Sequence, residues 1–189
     1  MGDSVARAVS IAGHPAMLMP VAVAIAAPTH IRSAALAVSL VCAGAVLGYS
    51  LYKARRGQWA HMDASVPAER AQLNLRVGAG LLATAGALWL AGVHAGFPVV
   101  VGLSGLIVAA GHLFRGMAKL SLHVAFAVFA AFLVWPNHLA AATLALTAIG
   151  VAWSRLALQR HVAADIILGA LAGAAAGLAF HMAVARLAA

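Results

Sequence analysis

Ser154 and Arg155 are followed after five residues by His161, and Asp165 comes after three more. On a helix His161 and Asp165 share a face, so the carboxylate can accept a hydrogen bond from one imidazole nitrogen. The tautomer is then fixed and the other nitrogen is free to attack, which is the arrangement of a nucleophile positioned by a third group. Arg155 adds a planar fork of donors suited to phosphate oxygens. A competing reading makes Arg155 and Arg160 interface anchors, His161 a helix cap and Asp165 its internal partner. An aspartate inside an apolar segment costs roughly 2.5 to 3.5 kcal/mol on insertion scales, which favours the functional reading.

Composition narrows the chemistry further. Hydrophobic residues make up 65% of the 189 and charged residues only 8%, which makes lipid the solvent for most of the surface. The acids are Asp3, Asp63, Glu69 and Asp165, against 12 Lys and Arg. Membrane enzymes that hold Mg²⁺ between carboxylates need clustered aspartates, and the sequence has no such cluster, so neither a metal nor a cofactor is expected. The basic excess flanks apolar runs and belongs to no soluble domain, which excludes nucleic acid as a partner. Cys42 lies within an apolar run and reads as buried filler.

The elements that must carry these groups are helical. Polar breaks and Pro/Gly punctuation divide the chain into apolar segments at about 14 to 29, 33 to 51, 76 to 95, 97 to 114, 120 to 135, 139 to 154 and 162 to 185. An all-α bundle of six or seven transmembrane helices in a single domain spanning 1 to 189 is expected, with the first segment doubtful because Pro15, Pro20 and Pro28 interrupt it. That segment starts at His14-Pro15 without a basic leader or cleavage site, so the N-terminus reads as mature. Ser65 and Pro67 mark a helix start within the polar stretch from Tyr52 to Asn74. Threading puts the 52 to 75 loop and the 112 to 119 and 154 to 161 turns on one face. Ten of the 12 basic residues fall on that face, all but Arg32 and Arg186, which makes it cytoplasmic under the positive-inside rule.

The pattern Ser154-Arg155-x5-His161-x3-Asp165 resembles the third signature of the type-2 phosphatidic acid phosphatase superfamily, shared with vanadium haloperoxidases, and matches it at every fixed position. The resemblance implies that Arg155, with Ser154 beside it, binds phosphate, that His161 is the nucleophile and that Asp165 orients it. Ser121-Leu122-His123 resembles the second signature, P-S-G-H, in Ser121 and His123 only. By resemblance His123 is the general acid that protonates the leaving oxygen and Ser121 a phosphate contact. The first signature, K-x6-R-P, aligns on Asp63 and Arg70. Arg70 carries over, the lysine does not, and Lys119 is the candidate replacement, with Lys53 and Arg56 as rivals. The motif-bearing region runs from about 63 to 177, and the first two segments carry none of it.

The expectation is a membrane phosphatase in the cell membrane, acting without metal through a phosphohistidine. Its substrate is an amphiphile: phosphatidic acid, phosphatidylglycerophosphate, or a polyprenyl phosphate or diphosphate. The alternatives are a phosphotransferase with the same core and a non-catalytic protein that binds lipid phosphate. Oligomeric state is not legible. Gly169, Gly173 and Gly177 recur every four residues on the last helix and read as a close-packing seam. His61 reads as a solvated loop residue, while His14, His30, His94, His112, His138 and His181 read as polar residues near segment ends without metal-ligand spacing. Trp59, Trp135 and Trp153 fit aromatic belts.

Overall fold

A computed structural model describes residues 2–60, 64, 66–116 and 119–189. They form α1 (Gly2–Ala12), α2 (Pro15–Ala26), α3 (Arg32–Arg55), α4 (Pro67–Leu90), α5 (Gly96–Leu113), a 3₁₀ turn (Phe114–Gly116), α6 (Leu122–Leu133), α7 (His138–Ala157) and α8 (Ala163–Ala188). The architecture is all-helical. Five helices, α3, α4, α5, α7 and α8, are long and apolar enough to cross a membrane, and a sixth span arises if α1 and α2, bent by 45° at their break, count as one. The expected polytopic helical bundle is therefore present, and its helices are those of a membrane protein.

A short apolar helix, α6, sits at the centre. At 12 residues α6 reaches about 18 Å, too short to cross a hydrocarbon core of about 30 Å alone. It is apolar on all sides, and Val124, Ala125, Phe126, Ala127, Phe129, Ala130 and Leu133 are buried. A helix of that composition belongs where protein surrounds it. Helices α2, α5, α7 and α8 pack around α6, with α3 outside α2 and α4 outside α5. Ser121, which caps the start of α6, is wholly buried, so this end of the central helix is recessed from the surface.

The helix start read at Pro67 is realised: α4 runs from there through the polar stretch into the third apolar segment, because proline at the first helical position and Glu69 in the first turn favour helix initiation. Arg70 and Arg76 thus ride on a helix, and Arg76 donates to the Tyr49 hydroxyl of α3. Trp59 is no belt residue: it is buried, donates Nε1–H to Gln72 Oε1 at 3.1 Å and meets Tyr49 edge to face. Trp135 and Trp153 are exposed, as an interfacial position requires. Cys42 is half-buried rather than buried, since α3 buries only Ala35 and Ser50.

Candidate functional site

Asp165 stands at the third position of α8 and its carboxylate turns back toward the loop. One oxygen, Oδ2, accepts from His161 Nδ1 at 3.1 Å and from the Val162 backbone N–H at 3.2 Å. The second bond is half of a capping box and satisfies an amide that the helix itself leaves orphaned. The first bond decides the tautomer: a carboxylate only accepts, so Nδ1 carries the proton and Nε2 presents a lone pair. Both side chains are enclosed, at 8% and 9% exposure. Burial holds the His161 imidazole down at about 4, against the opposing effect of the Asp165 hydrogen bond, with the Arg155 and Lys119 cations pushing the same way as burial. The ring is therefore neutral at neutral pH, the form a nucleophile needs.

The glycine seam of α8 brings the second group of residues to the first. A Cβ at Gly169 would lie 2.6 Å from the carbonyl oxygen of Ser121, one at Gly173 would strike that of Ala125, and one at Gly177 would strike Phe132. Only glycine permits this approach, which runs from the start of α6 to its end. The Ser121 backbone N–H then donates to the Asp165 carbonyl at 3.1 Å, locking the two helix starts together. His123, the second residue of α6, lies within electrostatic reach of Arg155, His14, His161 and Arg160. Ser121 Oγ is buried and has no hydrogen-bond partner among the described residues. Leu122, which replaces the glycine of the resembled signature, turns its side chain toward Gly111 of α5 and takes no space from His123.

Arg155 enters from the last turn of α7, only 8% exposed, and donates from a terminal nitrogen to Ser10 Oγ of α1 at 3.0 Å. No family model matches the chain, and comparison with curated proteins and with solved structures gives no match. The site therefore rests on its own geometry. The N-termini of α2, α6 and α8 meet here, which gathers the positive ends of three helix dipoles. A buried guanidinium, an unpartnered serine hydroxyl and converging helix starts are groups with which a protein can hold an anion.

The remaining cations are sorted by position. Lys119 Nζ donates to the Arg160 carbonyl at 2.8 Å, and Arg70, Arg155 and Asp165 all act on it electrostatically. Partial burial, with the Arg70 guanidinium next, holds the Lys119 ammonium below its ordinary range. Lys53 is engaged with Gln58 at 2.5 Å and Arg56 stacks over Tyr52, so both belong to the end of α3. Lys119 is thus the lysine at the site. Asp63 and His61 lie outside the described residues. Glu69 accepts from the Ala60 amide at 2.8 Å and ties that residue to the first turn of α4. Ser154 commits its proton to the Val151 carbonyl at 2.8 Å, which leaves only acceptor capacity in a buried hydroxyl. Among the described residues no group of three or more His, Cys, Asp or Glu can hold a metal ion.

Two site residues escape sequence reasoning. Ser10 and His14 lie in the stretch that carries no resembled motif, yet Ser10 holds Arg155 and the His14 ring meets that of His123 edge to face, centroids 5.0 Å apart. The available signal was slight: a histidine directly before a proline at a helix start. Of the other histidines, His112 and His181 donate to the carbonyls of Ala71 and Phe132 and tie helices together. His30 and His94 pair at the opposite face, where an apolar cavity of about 150 Å³ lies against His94 and Phe97, remote from Arg155 and His161.

Proposed function

We propose that the chain is a metal-independent membrane phosphatase acting on a lipid phosphate, polyprenyl phosphate or polyprenyl diphosphate, as the resemblance to type-2 phosphatidic acid phosphatases implies. The observation that carries this reading is the enclosed His161–Asp165 pair, its neutral imidazole oriented with Nε2 free, beside a buried arginine and a second histidine at the start of α6.

In the first step the Nε2 lone pair of His161 forms a bond to phosphorus while the bond from phosphorus to the lipid oxygen breaks. His123, protonated in the complex, delivers its proton to that oxygen. Arg155, Arg70 and Lys119 hold the non-bridging oxygens, with Ser121 Oγ as a further contact. In the second step water attacks phosphorus, His123 takes its proton, the N–P bond breaks and phosphate leaves with His161 restored. The bound phosphate supplies the negative charge that favours the protonated form of His123. Positioned cations contribute about 10³ to 10⁵ to phosphoryl transfer and a general acid about 10² to 10⁴. The recessed start of α6 within a bundle of apolar helices fits an amphiphile whose headgroup dips to the protein while its chains stay in lipid.

The test is phosphate release by purified protein in detergent with excess chelator, across lipid mono- and diphosphates, beside His161→Ala. Release by the wild type alone supports the reading. Turnover by His161→Ala refutes the nucleophile, product that appears only with an added acceptor assigns a phosphotransferase, and lipid binding without turnover assigns a non-catalytic protein.

A further inference from the structure

The break between α1 and α2 is anchored on the helix that carries Arg155. Ser10 accepts from Arg155, and a Cβ at Gly13 would strike the Val151 side chain, so the chain passes against α7 just before His14. His14 then caps α2: its Nδ1 accepts from the Ala16 amide at 3.1 Å, with Pro15 between them at the first helical position. This bond fixes the tautomer, because a nitrogen that accepts an amide hydrogen carries none itself, so the neutral ring bears its proton on Nε2. The cap thus turns His14 into a donor with one assigned hydrogen. Its ring stands edge to face with His123, at 88° and 5.0 Å between centroids, and Arg155 acts on it electrostatically.

We infer that His14 is a substrate-contacting residue, donating its Nε2 hydrogen to a non-bridging oxygen of the phosphoryl group held by Arg155. The inference rests on the phosphate-site reading above and extends it to a segment outside all three resembled signatures. As a neutral donor, His14 adds directionality without adding another full charge beside His123. It also makes the bent N-terminal pair part of the binding site, since Ser10, Gly13 and His14 act within one turn of the break.

Two substitutions separate donor from cap. Asparagine places an acceptor where Nδ1 lies and is a strong N-cap, but has no group at the Nε2 position. Glutamine reaches the Nε2 position with an amide N–H and loses the cap. Binding of inorganic phosphate to the full chain in detergent is measured by titration calorimetry, with Tm alongside and Arg155→Lys as reference. We expect His14→Asn to keep the wild-type Tm and bind phosphate about tenfold more weakly, as for loss of a hydrogen bond to a charged group, and His14→Gln to bind more tightly than His14→Asn despite a lower Tm. Wild-type affinity in His14→Asn overturns the inference alone. Affinity that falls only in step with Tm in both variants also overturns it and assigns His14 to the fold. A wild type that binds no phosphate, or that is unaffected by Arg155→Lys, overturns the phosphate site and this inference with it.

Discussion

Replacing Gly169 with alanine adds one methyl where α8 crosses the start of α6, and the consequence can be worked from the geometry. The new Cβ would lie 2.6 Å from the Ser121 carbonyl oxygen, about 0.8 Å inside ordinary van der Waals contact. That oxygen is backbone, so no side-chain rotation relieves the overlap and the start of α6 must move. Ser121 and His123 move with it, away from Asp165 and His161 on α8. Overpacking of this kind costs about 1 to 3 kcal/mol, offset by about 1 kcal/mol for replacing a helical glycine. The catalytic cost is larger, because a displacement near 1 Å lowers rates by about 10²-fold. Gly177→Ala is the control: its Cβ would strike Phe132 at the far end of the same seam, remote from the site. Phosphate release and Tm are measured for both. We expect similar small losses of Tm, a kcat about 10²-fold lower for Gly169→Ala, and a near wild-type kcat for Gly177→Ala. Wild-type turnover in Gly169→Ala, or an equal loss in Gly177→Ala, would refute the argument that the seam sets the register of the two histidines.

The remaining predictions concern charge and protonation. In the proposed mechanism the reacting form of His161 is neutral, so with burial holding the ring at about 4 instead of the ordinary 6.5, kcat/KM is expected to persist below pH 6.5 and to be lost as pH falls through about 4; an acid limb at 6.5 in a pH–rate profile would place the ring in a different environment. Asp165→Asn keeps an acceptor for the Val162 amide and the His161 Nδ1–H but removes the charge, so kcat should fall by about 10² to 10⁴ with circular dichroism unchanged. Collapse of the fold in this variant would instead assign Asp165 to helix capping.

Much of this arrangement is written locally. The four-residue spacing of His161 and Asp165, the proline at the start of α4 and the i, i+4 glycines of α8 each act within one or two helical turns, and the structure realises all three. Apolar run lengths likewise determine that the protein is a helical bundle, because only helices satisfy every backbone group over such stretches. Sequence also put the three polar turns on one face, since that follows from counting alternating segments.

What the sequence left open depends on contacts between distant residues. Whether the segment that holds α6 faces lipid or protein depends on its neighbours, and its burial comes from four helices packing around it. Lys119 was separated from Lys53 and Arg56 only by where the loops lie, since all three read alike as flanking cations. Ser10 and His14 were invisible because nothing local distinguishes a serine in an amphipathic helix, or a histidine before proline, from ordinary interfacial polarity. Their roles arise from a bond across 145 residues to Arg155 and a ring contact with His123. The sequence alone picked out the residues of the resembled motifs; the tertiary structure decided which groups surround them, because helix packing brings together side chains that no spacing along the chain connects.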